Sequence, residues 1–220
     1  MGPRLSDGVI ALDRHTLADA DAHLAGEDEE QARRFGWYPA RSTPETVRRA
    51  IVKWQREWAT GSPTRVFAIR ELETGALAGG CEVRVRDNAL AEMSYWVFPP
   101  FRGRRYASRA VVLACGWAFA ELGVERMEIY VEPDDVASRS VALLAGFEEE
   151  GLLRARGRFG DERRDLVLYS RLPSDGTPPA LSARAGSRGR ELPGSLASAD
   201  RSPGAGRRRA ARRDKPRREG

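Results

Sequence analysis

Histidine and cysteine are scarce in this sequence, and their scarcity narrows the chemistry that it can carry. The 220 residues include 2 histidines and 2 cysteines. Cys81 and Cys115 lack the spacing of metal ligands and have no histidine cluster near them, so we expect reduced core thiols and no metal site. His15 and His23 fall in the first strand and helix region, where we expect them at the surface.

Long apolar runs are also lacking. No stretch of about 18 apolar residues occurs, so no transmembrane helix is expected. Residues 1–8 contain no apolar stretch typical of a secretory signal. We therefore expect a cytoplasmic protein that does not contact a membrane.

Basic residues outnumber acidic ones only because of the last part of the chain. The sequence has 37 Lys and Arg against 32 Asp and Glu, a net charge of +5. From Ser174 onward there are 12 basic and 5 acidic residues, which leaves 25 and 27 in residues 1–173. A basic surface that would favour nucleic acid is therefore expected in residues 174–220 alone.

Residues 174–220 are predicted to be a disordered tail. They are rich in Ser, Gly, Pro, Ala and Arg and contain no aromatic residue, so they bury too little apolar surface to offset the entropy of ordering. The arginines at 207–209 and 212–213 fit either contact with RNA or an acidic partner, or a solvated extension without function. Residues 1–173 are predicted to form the single folded domain.

Strand and helix patterns alternate through residues 1–173. Residues 43–58 are typical of a helix that Thr43 caps, with Trp54 and Trp58 either in the core or in an acceptor-site wall. The predicted order is β-α-α-β-β-β-α-β-α-β-β, a mixed and mainly antiparallel α/β sheet with helices on its faces. Strands are predicted near residues 9–12, 65–70, 77–86, 91–97, 127–131, 147–154 and 164–170, and the other helices near 17–24, from 104 to 122 and 137–145.

The junction from Tyr95 to Ala107 carries the most specific pattern. A strand leads into a short loop that contains Gly103 and then into a helix. The free backbone N–H groups at such a helix start can hold phosphate oxygens. A structural corner without a ligand is the alternative when this turn is considered alone.

Four features in this order resemble the GNAT superfamily of N-acetyltransferases, specifically its RimJ/RimL-like branch. The pyrophosphate loop of that family has Arg or Gln, two variable residues, Gly, one variable residue and then Gly or Ala, and Arg102 and Ala107 match its ends. The other features are Ala91-Glu92 with Tyr95-Trp96-Val97, the run from Pro133 to Ser138, and Ala145-Gly146-Phe147. The resemblance covers about residues 8–172.

The resemblance implies an acyl-CoA N-acyltransferase fold that binds acetyl-CoA and needs no metal. Two parallel strands, here residues 91–97 and 126–131, are expected to splay apart so that the pantetheine arm inserts between them as a pseudo-strand. The coenzyme-binding residues that it implies are Trp96, Val97, Arg102, Gly103, Arg104, Arg105, Tyr106, Ala107, Asp135 and Ser138.

Two residues depart from the family pattern. Arg105 stands where the family usually has the middle glycine of the loop. It either takes a positive φ at a cost of about 1–2 kcal/mol or lies in the first helical turn without strain, and we expect the second. Asp135 stands where the family commonly has an asparagine, and it keeps the acceptor while losing the donor.

The resemblance also suggests catalytic roles. A backbone N–H of Trp96 or Val97 could stabilise the oxyanion, and the Ser138 hydroxyl either protonates the leaving thiolate or only caps a helix. Glu92 is a candidate general base or a solvated carboxylate. Tyr130 either protonates the thiolate or belongs to the core.

The acceptor is left open between a protein N-terminal α-amine and a small-molecule amine. The acidic run at residues 27–30 could attract such a cation or could be a solvated face. The alternative function is a non-catalytic module that binds acyl-CoA, or that binds RNA or protein through the tail.

Overall fold

The chain folds around one mixed sheet with helices on both faces. The structure is a computed structural model that describes residues 2–36, 39–87 and 89–178, all within one compact unit, Met1–Gly186. From residue 179 onward the predicted tail lies outside the described residues. The strands are β1 Leu5–Ser6, β2 Ile10–Arg14, β3 Thr64–Glu71, β4 Leu77–Val85, β5 Leu90–Val97, β6 Arg126–Val131, β7 Glu148–Phe159 and β8 Glu162–Arg171, and the helices are α1 Ala20–Gly26, α2 Glu29–Arg34, α3 Pro44–Thr60, α4 Tyr106–Glu121 and α5 Val136–Leu144.

The described strands lie in the order β1-β2-β3-β4-β5-β6-β8-β7. Each neighbouring pair is antiparallel except β5 and β6, which are parallel. A parallel pair needs a crossover, and α4 provides it between these two strands. This arrangement confirms the expected fold class.

The two faces of the sheet bury different side chains. On one face, α4 and α5 pack over a core that includes Met93, Tyr95 and Ile129. On the other face, Trp96 and Phe98 form a smaller cluster with Val66 and Ala68. Successive strand residues point to opposite faces, so β5 contributes to both cores.

Helix α3 forms as its sequence predicts. The Thr43 hydroxyl accepts the Thr46 N–H at 3.2 Å, Pro44 occupies the first turn, and Gly61 ends the helix at φ 70°. Trp58 lies in the core, where its indole N–H donates to the Val66 carbonyl at 2.7 Å. Its expected core position is therefore confirmed.

Both cysteines are buried in the core as expected, and neither is in a disulfide. Burial raises the pKa of Cys115 to about 12, so its thiol stays protonated near neutral pH. The same cause raises the pKa of Cys81. Neither sulfur is a nucleophile under these conditions.

Several expected features of the first 36 residues are wrong. His15 and His23 are buried, with 1% and 5% of their surface exposed, because their rings pack against each other and against Trp54 and Trp96. The acidic run at residues 27–30 is partly helical, since Asp28 caps α2 by accepting the Gln31 N–H at 2.8 Å. The helix expected at residues 17–24 is a 3-10 turn followed by α1, and β1 adds an edge strand.

Strands β5 and β6 pair only at one end. Residues 90–92 pair with residues 126–128, and the pairing then stops. Strand β5 continues along β4 to Val97, and β6 continues along β8 to Val131. The two strands thus diverge into an open slot, as the resemblance implies.

Candidate active site

The loop that follows β5 leads directly into the N-terminus of α4. Gly103 has φ 76° and Arg105, the residue before the helix, has φ 61° and ψ 19°. The expectation that Arg105 lies unstrained in the first helical turn is therefore wrong. It adopts the left-handed conformation, which costs about 1–2 kcal/mol in a residue with a Cβ.

The loop and the start of α4 line a cleft of about 330 Å³ that also extends to α5. We call it the loop cleft. Within the described part of the chain, the backbone N–H groups of residues 103–108 have no hydrogen-bond acceptor. Free donors at a helix N-terminus hold anions. The members of the implied coenzyme set that line the cleft are Trp96, Val97, Arg102, Gly103, Arg105, Tyr106, Ala107 and Ser138.

Two arginines of the loop are held by carboxylates. Arg102 pairs with Asp28 at 2.7 Å and with Glu30 at 2.8 Å, and its Nε donates to the Val97 carbonyl at 3.1 Å. Arg104 pairs with Glu71 at 2.8 Å and does not line the cleft. The exposed Arg105 forms no ion pair within the described residues, so no carboxylate there neutralises its charge.

The slot between β5 and β6 contains a second cavity, of about 220 Å³, which we call the splay cavity. Ser94 and Tyr130 line it from the diverging strands, and Phe159 and Leu166 from the closing hairpin. Four residues line both this cavity and the loop cleft, namely Arg34, Phe35, Tyr95 and Ser138. The two cavities therefore meet at the slot.

Ser138 lies at this meeting point. Its hydroxyl is buried and has no hydrogen-bond partner in the described part of the chain. Asp135 caps α5 by accepting the Ser138 N–H at 2.9 Å, and the Tyr95 hydroxyl donates to the Ser138 carbonyl at 3.2 Å. The backbone of Ser138 is thus fixed, while its Oγ keeps an unused capacity for hydrogen bonding.

Arg34 forms an ion pair that requires the negative charge of the aspartate at position 135. Its guanidinium pairs with the Asp135 carboxylate at 3.1 Å and lies 5.6 Å from the centre of the Tyr95 ring. An asparagine would lack the charge for this pair. Sequence reasoning missed Arg34 because α2 was not predicted.

The backbone N–H groups of Trp96 and Val97, the two candidate oxyanion donors, point in opposite directions from β5. The Phe98 N–H donates to the Ala78 carbonyl of β4, and N–H directions alternate along a strand. The N–H of Trp96 therefore points to β4, whereas those of Val97 and Tyr95 point toward the slot. This alternation favours Val97.

Two carboxylates lie side by side where the slot begins. Glu92 and Glu128 are the last paired residues of β5 and β6 and share a face of the sheet. Glu92 accepts from Arg86 at 2.7 Å and is partly exposed. Glu128 is 6% exposed and accepts the Tyr130 hydroxyl at 2.6 Å. Sequence reasoning did not single out Glu128.

The buried histidines pack against the Trp96 side chain. Ring centres lie 6.2 Å apart for His15 and Trp96 and 6.1 Å apart for His23 and Trp96. Gly80 leaves room for the indole, since a Cβ there would lie 2.2 Å from it. Burial lowers the pKa of His15 to about 3, so this imidazole is neutral near pH 7. Trp54 contacts the same cluster.

Residues 2–36, 39–87 and 89–178 offer neither a metal site nor a membrane span. They contain no cluster of three or more His, Cys, Asp or Glu placed to hold a metal ion. None of their helices is long and apolar enough to cross a membrane.

Comparisons with known proteins match the architecture described above. Residues 10–148 match the model of the acetyltransferase (GNAT) domain. A Bacillus subtilis (strain 168) protein named "Putative ribosomal N-acetyltransferase YdaF" is 30% identical over 134 residues, which cover 60% of this chain and 72% of the relative.

Solved structures match over most of the described chain. Mycobacterium smegmatis RimJ in complex with CoA-disulfide has a TM-score of 0.65 at 23% identity, covering 79% of this chain and 87% of RimJ. The microcin C7 self-immunity acetyltransferase MccE, in complex with acetyl-CoA and AMP, has a TM-score of 0.66 at 18% identity, covering 76% and 93%. At these identities the two structures support the fold.

Proposed function

The chain belongs to the GNAT acetyltransferase family, and we propose that it transfers the acetyl group of acetyl-CoA to a protein N-terminal α-amine. The expected enzyme class, an N-acetyltransferase, is confirmed by this family and by the names of its relatives. The observation that carries the proposal is the slot between β5 and β6, which opens into the loop cleft.

The residues of the loop cleft fit the coenzyme. Unpaired N–H groups at the start of α4 suit a pyrophosphate, and the exposed Arg105 adds a positive charge. The slot offers the unpaired edges of β5 and β6 to an extended amide chain. Ser138, whose buried hydroxyl has no partner within the described residues, lines the same cleft.

An N-terminal α-amine is the acceptor that we favour over a small amine. The relative that is 30% identical has a name that refers to ribosomal N-acetylation. The acceptor would enter through an opening between α2 and the closing hairpin, which Arg34, Phe35 and Phe159 line. An opening of this kind suits the end of a peptide. A small-molecule amine is the second candidate, because the splay cavity has only about 220 Å³.

We assign each step of acetyl transfer to a different residue of the site. Bound acetyl-CoA supplies the activated acyl group. The Val97 N–H stabilises negative charge on the acyl oxygen, an effect worth about 3–4 kcal/mol in comparable sites. Ser138 gives its hydroxyl proton to the leaving sulfur and regains one from solvent. A carboxylate at the start of the slot, Glu92 or its neighbour Glu128, accepts the amine proton.

The test is a turnover assay of the full chain with acetyl-CoA. Hexapeptides that begin with Ser or Ala and have a free α-amine are the acceptors, their Nα-acetylated forms are the blanks, and spermidine represents small amines. We expect release of free thiol and an acetylated peptide only with the free α-amine. Coenzyme binding without turnover of any acceptor would instead support the non-catalytic module.

Ser138 has a matched test in the same assay. S138A removes the hydroxyl and keeps the helix cap, because the cap is formed by the Asp135 side chain and the Ser138 backbone. We expect kcat to fall by about 100-fold while the affinity for acetyl-CoA is kept. An unchanged kcat would leave Ser138 with a structural role alone.

A further inference from the structure

The two faces of the slot differ in the proton-carrying groups that they present. Ser138 belongs to α5, which packs on the face that buries Met127, Ile129 and Val131 of β6. Glu128 and Tyr130 alternate with those residues along β6 and therefore lie on the opposite face. A donor for the leaving sulfur and an acceptor for the amine proton would thus lie on opposite sides of the reacting centre.

Tyr130 and Glu128 form a short hydrogen-bonded pair at the start of the slot. The Tyr130 hydroxyl donates to Glu128 Oε2 at 2.6 Å. Tyr130 is partly buried and lines the splay cavity, whereas Glu128 is buried behind it with 6% of its surface exposed. Since the tyrosine proton points to Glu128, the phenol oxygen can accept a proton from the cavity side.

Glu128 is held in position for this role. Its other oxygen, Oε1, accepts from Arg126 Nε at 2.7 Å, and Arg126 also pairs with Glu150 at 2.6 Å. Glu92, beside Glu128 on the neighbouring strand β5, is held by Arg86 instead and has no bond to Tyr130 in the described chain. The charged groups around the pair are Arg126, Arg156, Glu92, Arg86, Arg34 and Glu132.

We propose that Tyr130 and Glu128 act as a proton relay that accepts the proton of the acceptor amine. This inference rests on the proposed acetyl transfer and assigns its base. The amine nitrogen bonds to the acyl carbon, and the carbon–sulfur bond breaks. The amine proton passes to the Tyr130 oxygen while the Tyr130 proton passes to Glu128 Oε2, and Glu128 later releases it to solvent. Ser138 protonates the sulfur on the other face.

The first test measures kcat and KM for Y130F, E128Q and E92Q in the peptide assay. We expect Y130F and E128Q each to lower kcat by about 100-fold with little change in the KM for acetyl-CoA. The double variant should be no slower than either single variant, because the pair acts as a unit. E92Q tests whether Glu92 is the base instead, and the relay predicts that E92Q lowers kcat less than E128Q does.

Y169F is the matched control. The Tyr169 hydroxyl also donates to a glutamate, Glu149, at 2.6 Å, but this side chain lies in the core on the α5 face. Y169F removes this bond and also the one that the Tyr169 hydroxyl accepts from Arg139 at 3.0 Å. It does not touch the slot, so its kcat should stay near that of the wild type. Thermal unfolding of each variant shows whether a lost rate reflects lost folding.

A second readout does not depend on turnover. Burial and the bond to Glu128 raise the pKa of Tyr130, so removing the charge of Glu128 should lower it. Titration of tyrosine labelled with 13C at Cζ, assigned with Y130F, should show this shift in E128Q and a smaller one in E92Q.

The outcomes separate the relay from the proposed function. Wild-type turnover with unchanged kcat in both Y130F and E128Q would overturn the relay alone, and loss confined to E92Q would assign the base to Glu92. An unchanged Tyr130 titration in E128Q would also overturn the relay. No turnover of any acceptor by the wild type would overturn the proposed function and the relay together.

Discussion

Arg105 combines a proposed role in coenzyme binding with a backbone conformation that lowers local stability. Its φ of 61° belongs to the left-handed region, where a Cβ is crowded by the backbone. The same residue places an exposed guanidinium beside the free N–H groups of α4. A glycine at this position would remove both the strain and the charge, whereas an alanine would remove the charge alone. Comparing these two variants therefore separates the two effects.

The comparison of R105G with R105A isolates the backbone effect. Both variants lose the guanidinium, but only R105A keeps a Cβ at positive φ. We expect the free energy of unfolding of R105G to exceed that of R105A by about 1 kcal/mol in urea denaturation. Acetyl-CoA affinity should fall equally in both, and equal stabilities would show that Arg105 is not strained.

Asp135 has two separable contacts. Its Oδ1 caps α5, and its Oδ2 pairs with Arg34 at 3.1 Å. D135N keeps an N-cap acceptor and loses the charge, whereas D135A loses both. We expect D135A to be about 1 kcal/mol less stable to urea than D135N, with D135N close to the wild type because the ion pair is partly exposed. A D135N as unstable as D135A would show that the ion pair, and not the cap, stabilises this turn.

At the scale of elements, α2 links the two sides of the site. Through Glu30 it contacts Arg102 in the loop that follows β5, and through Arg34 it contacts Asp135 at the start of α5. The acidic run is thus neither a fully solvated face nor a free acceptor site, since two of its carboxylates neutralise Arg102. These carboxylates would therefore oppose the binding of a phosphate in the loop cleft.

The double variant D28N/E30Q should bind acetyl-CoA more tightly than the wild type. Removing two negative charges frees Arg102 for the phosphates, and the asparagine introduced at position 28 can still cap α2. Calorimetric titration at low and high salt should show a gain that shrinks as salt rises. The control D21N/E45Q removes two exposed carboxylates of α1 and α3 and should leave the affinity unchanged. Weaker binding by D28N/E30Q would show that α2 orders the loop for the coenzyme.

The sequence predicted the elements whose signals are local. The cap and periodicity of α3, the alternation of β3 to β5 and the loop before α4 are confirmed by the structure. Helix α2 was missed because its six residues carry no apolar stripe. The left-handed Arg105 was missed because nothing in its side chain signals positive φ. Glu128 was missed because only the register of β5 and β6 brings it to the slot.

At the scale of the whole molecule, folding is opposed by protonation of His15, which is buried and neutral in the folded chain. The pKa of His15 falls from 6.5 to about 3 on folding because of burial. A group whose pKa is lower in the folded state binds more protons when unfolded, so stability is lost as pH falls below the unfolded value. Carboxylates titrate mainly below about pH 4.5. Between about pH 4.5 and pH 6.5, the change in the free energy of unfolding therefore comes mainly from histidine.

Stability should therefore decrease between about pH 6.5 and pH 5. We expect the free energy of unfolding to fall by about 1.5 kcal/mol over this range, as measured by urea denaturation at several pH values. H15L removes the titrating group and should flatten the slope. A wild-type slope that H15L leaves unchanged would contradict the neutral, buried state of His15.

The central claim, that the loop cleft and slot hold acetyl-CoA, is tested most directly by calorimetric titration of acetyl-CoA into the wild type, A107E and A107Q. Ala107 lines the cleft in the first turn of α4, where a glutamate suits the helix dipole and so preserves the fold. The account predicts saturable wild-type binding that A107E abolishes and that the uncharged A107Q retains in large part. Absence of binding by the folded wild type, or equal binding by A107E, would contradict it.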